Sequence, residues 1–433
     1  MAHRHKRAPL QIVIDDALAE TPPGRVVWVA LSGGLDSSLL LTLAAAACRR
    51  HPRPLYALHV HHGLQDCADG FEAHCRRLCS HLGVPLFVER VAVERDAGLG
   101  LEGAARQARY AAFARRVTPG GTLWLAQHRD DQAETFLLAA LRGSGVRGLA
   151  AMPRRREWQG RRFERPLLAH TRLELEAEAE RLGLPWIDDP TNTDENLDRN
   201  FLRRSVLPLL QSRWPHATDA LARSACHAAD AEEMIEALAE DDLAALGGEP
   251  GCLPVAGLAS LKPARCRSLV RLACRRLGLA PPPSARLDTL LTQLAARKDA
   301  QACVDWADAE ARLWRGRLYL QRRLAALPAG WRAEWHGMEP LATPWEEAAV
   351  ALAPADGRPV RLVLLPRRGG ERLRLAGRGR RDLKRLLQEA GVSPWARERV
   401  AVVWYEETPV AALLLPEGRW VAVAAGWRAQ PAV

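Results

Sequence analysis

The stretch Val26–Ser38, VVWVALSGGLDSS, constrains the fold more than any other part of the chain. A short apolar run ends in Ser32-Gly33-Gly34-Leu35-Asp36-Ser37, and an apolar helical pattern follows at once. A strand that turns on glycines into a helix N-terminus makes an anion site. The glycines let backbone N–H groups approach a phosphate, and the helix dipole adds positive potential. Ser32, Ser37 and Ser38 offer hydroxyls to the same oxygens. No GxxxxGK[ST] pattern is present. Asp36 stands where a lysine would be expected, and a carboxylate beside phosphates makes sense mainly when a divalent cation bridges them.

The region 26–145 alternates strand-like and helix-like segments. Strands are predicted at Val26–Leu31, Leu55–Val60, Leu86–Val91 and Leu123–Gln127, and helices near 36–50, 69–83, 101–117 and 131–142. This spacing predicts βαβ units, hence an α/β doubly wound parallel sheet with helices on both faces. Ligands of such sheets sit at the C-terminal strand ends. Ser32–Ser37, His59-Val60-His61-His62 and Gln127–Asp131 all fall there. An arginine-rich hairpin is predicted within 146–170, then a helix near 171–183, the turn-rich WIDDPTNTDENLDRN and a short helix around Asn200–Leu210. The expected boundaries are a catalytic domain over 1–215, a helical middle domain over 216–320, a linker over 321–350 and a small α+β domain over 351–433.

Composition narrows the setting. The chain has 433 residues, 48% of them hydrophobic, so it can bury several cores. No apolar run reaches the roughly 20 residues of a membrane span. Nine cysteines without a CxxC pair read as reduced thiols, and with no export signal the expected location is cytoplasmic. The net charge of +10 favours a polyanionic partner. Only Lys6, Lys262, Lys298 and Lys384 are lysines among 61 basic residues. Arginine usage can follow genome composition, so where the charge sits matters more than its total. Arg361–Arg385 carries ten cations against Glu371 and Asp382, and Arg154–Arg165 carries six against Glu157 and Glu164. Both suit RNA backbone contacts.

Several constellations could carry chemistry. Asp131 and Glu134 are spaced i, i+3 on one helical face, where they could hold Mg²⁺, bind an amine or accept its proton. Acidic capping of a helix start is the plainer alternative. Arg199 and Arg203, i, i+4, would project together toward phosphate or carboxylate. Arg106 and Arg109 either stabilise charge on a phosphate or form a solvated face. His59 and His61 point one way along a strand and His62 the other. Hydrogen bonding near a nucleotide fits them better than metal binding.

Taken in order, SGGLDS, HVHHGL, LEGAARQARYAAF, AQHRDDQAETFLL, RPLL, WIDDPTN and DRNFLRRSVLP resemble the tRNA(Ile)-lysidine synthetase family, a branch of the N-type (PP-loop) ATP pyrophosphatases with an adenine nucleotide alpha hydrolase-like fold. RDLKRLLQEAGVSPWARERVAVVWYE extends the likeness near the C-terminus. The resemblance implies ATP as substrate and Mg²⁺ at Asp36. Ser32, Gly33, Gly34, Leu35, Asp36 and Ser37 would bind the nucleotide. Asp36, Asp131, Glu134, Arg199 and Arg203 would be catalytic. Arg106, Arg109, His128, Arg372, Arg380 and Lys384 would bind substrate. The implied partners are tRNA(Ile) with a CAU anticodon and free L-lysine, with no membrane, and a homodimer is compatible with the pattern. The implied reaction adenylates the wobble cytidine and then transfers lysine to it. Another PP-loop tRNA-modifying enzyme, such as a thiolase, is the alternative, though a thiolase would generally need cysteine pairs.

Overall fold

The computed structural model describes residues 9–63, 68–92, 100–294 and 302–430. The chain divides into two compact units, Met1–Ile235 and Glu236–Val433.

The first unit is built on βα alternation. Helix α1 (Leu10–Ala19) precedes β1 (Val27–Ala30), α2 (Leu35–Arg50), β2 (Leu55–His61), α3 (Ala68–Leu82), β3 (Leu86–Arg90), α4 (Gly100–Arg116), β4 (Thr122–Trp124) and α5 (Arg129–Leu141). A single turn, α6 (Val146–Leu149), leads to a hairpin of β5 (Arg155–Trp158) and β6 (Arg161–Glu164). Then come α7 (Arg172–Arg181), α8 (Asp198–Phe201), α9 (Leu207–Arg213) and α10 (Ala217–Ala245), the last crossing into the second unit. The sheet order is β3-β2-β1-β4-β6-β5, parallel throughout except for the β5–β6 pair. The arginine-rich hairpin therefore joins the main sheet as its edge.

Strand β1 is buried on both faces. Val27 and Val29 pack with α1, α2 and α7, while Trp28 packs with Phe113 of α4 and Phe163 of β6. That is why its sequence is continuously apolar. Helix α2 has the same cause: Leu39, Leu40 and Leu41 have no exposed surface. Each such leucine contributes about 1.5–3 kcal/mol by burial. Because β2 lies on one side of β1 and β4 on the other, the winding reverses between β1 and β4. A crevice opens there at the C-terminal strand ends.

In the second unit, helices Pro263–Arg276 and Ser284–Leu294 pack through Leu269, Leu272, Leu287 and Leu290 on a four-stranded antiparallel sheet. Three of its strands, Cys303–Trp306, Ala309–Trp314 and Arg317–Arg322, lie where the apolar pattern suggests continuing helix. Trp306, Ala309, Ala311, Leu318 and Leu320 alternate inward at period two, a signal that arginine-rich flanks obscure. Within 321–350, Ala333–Trp335 pairs with Leu362–Pro366 in a five-stranded sheet continued by Val400–Tyr405, Thr408–Leu414 and Arg419–Val423. Sheet pairing thus begins before residue 350.

Candidate active site

The loop after β1 is held by its own hydroxyls. The Ser37 hydroxyl accepts from the Ser32 N–H (3.1 Å) and donates to the Gly34 carbonyl (3.1 Å), and it lies 2.9 Å from the Ser32 hydroxyl. Ser37 and Ser38 are buried, Ser37 braces the turn, the Ser38 hydroxyl has no partner, and Ser32 is the exposed hydroxyl. Leu35 turns its side chain into the core and offers only its backbone N–H. The first N–H groups of α2 have no intrahelical acceptor, as an anion site requires. Gly33 has φ +95°, and a Cβ there would lie 3.1 Å from a Phe71 ring carbon and 3.3 Å from the Cys75 sulfur. Gly33→Ala is therefore expected to lower stability by about 1–3 kcal/mol and to weaken ATP binding about tenfold or more. Thermal melts and an ATP titration check both.

A cluster of carboxylates gathers beside this loop. Asp36 comes from the first turn of α2, and Asp130 and Asp131 from the first turn of α5. The His128 backbone N–H donates to Asp131 (3.0 Å), capping α5. The His128 ring lies 3.4 Å from Asp130, 3.5 Å from Asp131 and 3.9 Å from Asp36. Burial works against its charge, but the three carboxylates outweigh that and raise its pKa. With only 2% of its surface exposed, His128 sits beneath the acidic groups, which favour its protonated form.

Asp36 is also held by Arg172, whose Nη1 donates at 2.6 Å. Burial raises the Asp36 pKa, and His128 and Arg172 oppose that. Its second oxygen, Oδ1, is buried without a partner. An orphaned carboxylate oxygen at a phosphate loop fits a hard cation whose other ligands come from phosphates and water. Among the described residues no group of three or more His, Cys, Asp and Glu is arranged to hold a metal by itself. Arg172 is absent from the sequence-based site. Its signal is the Thr171–Glu174 capping box that starts α7 at a sheet end; its backbone N–H also binds Asp130 (2.8 Å).

Asp131 and Glu134 do share one face, and Arg203 bridges them. Its Nε and Nη2 reach the two Glu134 oxygens at 2.7 and 3.1 Å, and Nη2 reaches Asp131 at 3.2 Å. Glu134 has no exposed surface, and burial raises its pKa against the pull of Arg203. Arg203 lies in a π-helical turn, Leu202–Val206, where the Leu207 N–H bonds back to Leu202. Pro208, lacking an N–H, follows at the start of α9. Arg199 donates to the Thr135 hydroxyl (3.0 Å), so both arginines reach α5.

The remaining residues fall in separate places. Arg106 stacks on Tyr110, while Arg109 stands near enough to His62 to help burial push that imidazole down to about 4. His59 bonds the Leu31 carbonyl (2.8 Å) and His61 bonds Asp69 (3.2 Å). The thiols of Cys75 and Cys79 are pushed up to about 12 and about 11 by burial, which keeps them protonated and inert. Arg372, Arg380 and Lys384 are exposed in the second unit around a hairpin of Arg372–Leu375 and Gly379–Asp382. Of the six arginines in 154–165, Arg155 and Arg162 pair with Glu164, and Arg161 binds the Ala114, Val117 and Gln159 carbonyls. That cluster is partly structural.

Comparison with known proteins supplies the family. Residues 7–210 match the PP-loop domain, 253–319 the TilS substrate binding domain and 362–430 the TilS substrate C-terminal domain. A tRNA(Ile)-lysidine synthase from Xanthomonas axonopodis pv. citri is 50% identical over 89% of this chain and 88% of its own length. One from Alkalilimnicola ehrlichii is 42% identical over 95% and 94%, and one from Pseudomonas aeruginosa 42% over 95% and 96%. The strand–loop–helix nucleotide site, the acidic face of α5 and these full-length likenesses agree, and the chain belongs to the tRNA(Ile)-lysidine synthase family.

Proposed function

We propose that the protein joins free lysine to C2 of the wobble cytidine of tRNA(Ile) with a CAU anticodon, in the cytoplasm, at the cost of ATP. The observation that carries this reading is the pairing of a phosphate loop with an acidic pair, the half-buried Asp131 and the buried Glu134, gathered by one arginine. In the first step the C2 oxygen attacks the α-phosphorus and pyrophosphate leaves. The loop N–H groups and the Ser32 hydroxyl hold the leaving phosphates. Asp36 would hold Mg²⁺ through its unpartnered oxygen, and the ion would neutralise phosphate charge when bound.

In the second step the lysine ε-amine attacks C2, and AMP departs with the former C2 oxygen. Asp131 and Glu134 bind the incoming ammonium and take up the proton it loses. A carboxylate whose pKa is raised by burial is a better proton acceptor than an exposed one, which favours Glu134 in that role. Arg199 and Arg203 steady the adenylate. The test is mass spectrometry of a CAU-anticodon isoleucine tRNA incubated with protein, ATP and lysine. A lysine-sized gain at the wobble cytidine is expected, and adenylation without that gain would reject lysine as the nucleophile.

Arg372, Arg380 and Lys384 form no ion pair among the described residues, which suits them to RNA phosphates. Replacing all three with glutamine is expected to lower the slope of log affinity against log salt by about three. Titrations of tRNA at several salt concentrations read this directly.

A further inference from the structure

A buried cation near the sheet edge has no counter-charge among the described residues. Arg165, directly after β6, is 3% exposed. Its Nη1 donates to the Pro153 carbonyl (2.8 Å), its Nε is buried without a partner, and it forms no ion pair among the described residues. The neighbouring carboxylate cannot serve it. Glu164 is already ion-paired with Arg155 (2.9 Å) and Arg162 (2.7 Å) and accepts from the Trp124 indole (3.0 Å). Burial lowers the Arg165 pKa; the Tyr110 hydroxyl offsets part of this, while the guanidiniums of Arg106 and Arg156 add to it. Arg106 donates to the same Tyr110 hydroxyl at 3.3 Å. Buried charges are ordinarily paired, and Arg165 is not. Arg106 and Arg156 are exposed beside it, Arg156 standing opposite Phe163, on which Tyr110 packs. With no carboxylate on these three among the described residues, the place suits an incoming anion. Tyr110 is fixed in place by Phe113, Trp158 and Phe163, with ring centroids 5.7, 5.6 and 5.6 Å away.

We propose that Arg106, Arg156 and Arg165 form a phosphate subsite at Tyr110, and that it takes a backbone phosphate of the RNA substrate. This rests on the proposed function and adds a contact to it. Two sources of phosphate are available, the nucleotide and the RNA. Strand β6 lies two positions from β1, about 10 Å sideways of the loop. A triphosphate anchored on the loop is served there, whereas Arg156 stands exposed on the β5–β6 hairpin, open to a polyanion.

The experiment uses the full chain with Arg165→Gln and Arg156→Gln, titrated separately with unmodified tRNA and with ATP in the absence of RNA. Arg165→Gln is expected to weaken tRNA binding about tenfold, with a melting temperature close to wild type because loss of the Pro153 hydrogen bond is offset by removal of an unpaired buried charge. Arg156→Gln, at an exposed position, is expected to lower the salt slope by about one. Arg165→Lys is expected to recover part of the affinity. Wild-type tRNA affinity in both glutamine variants overturns the proposal. Weakened ATP binding with unchanged tRNA affinity assigns the phosphate to the nucleotide and overturns it as well. If Arg165→Gln melts early, the Arg156→Gln slope decides. A wild-type protein that binds tRNA but transfers no lysine contradicts the proposed function alone, since these titrations read binding.

Discussion

Asp36→Asn is expected to cut pyrophosphate release with ATP and tRNA by about 10³-fold while leaving the fold intact. The amide has the same shape and can still accept from Arg172, so α2 keeps its tie to α7 and its buried leucines. What disappears is the negative charge at a carboxylate oxygen left buried and unpartnered beside the phosphate loop. A carboxylamide binds Mg²⁺ poorly, because that ion demands hard anionic oxygen. The decisive measurement is ATP affinity with and without Mg²⁺. The wild type should gain affinity with the ion, and the variant should show equal affinity in both conditions. Undiminished pyrophosphate release would remove Asp36 from the adenylation step.

The βα framework over 26–145 was readable because each of its elements obeys one period, whereas helix α1 (Leu10–Ala19) was not among the expectations. The apolar runs of β1 and β2 and the glycine turn at 33–34 mark strand ends directly, and those ends carry the site in any doubly wound sheet. Asp131 and Glu134 were legible for the same reason: a fixed i, i+3 spacing at a helix start just after a strand. Arg172 was not. Its importance comes from where the loop after β6 returns to the sheet; the Thr171–Glu174 capping box marks only the helix start, and nothing local marks this arginine among so many as a partner of Asp36. His128 was legible as a site residue, but its depth was not, since burial depends on three carboxylates arriving from two helices. Strands 303–322 were hidden because alternation over four to six residues is short, and the arginines and tryptophans flanking them suit an exposed helix equally well. The likeness to a known family reached past these gaps on motif order, which is independent of burial.

Arg203→Ala should have the larger effect on lysine transfer, because Arg203 holds both members of the acidic pair. In the wild type, Glu134 is fully enclosed and its two oxygens are met by one guanidinium, with Asp131 on the same Nη2. Removing that guanidinium leaves an enclosed carboxylate without a partner. Breaking a buried pair in this way costs about 3–5 kcal/mol. Arg203 is 42% exposed on its side chain, so water can enter the gap, and about 2–3 kcal/mol is the better figure here. Part of the cost is escaped by protonation. Burial already raises the Glu134 pKa, and Arg203 is what opposes the rise, so its loss drives Glu134 further toward the neutral acid. A neutral Glu134 can neither bind an ammonium nor accept its proton. The sign follows: activity of the variant should recover as pH increases, since raising the pH restores the carboxylate that the arginine had maintained. At neutral pH lysine transfer should fall by at least about 10²-fold, while adenylation, which depends on the loop and Asp36, falls less. Single-turnover measurements that separate adenylate formation from lysine transfer across a pH series test this. Equal losses in both steps, or a pH profile parallel to wild type, would mean that Arg203 acts on the phosphate alone and that the acidic pair does not depend on it.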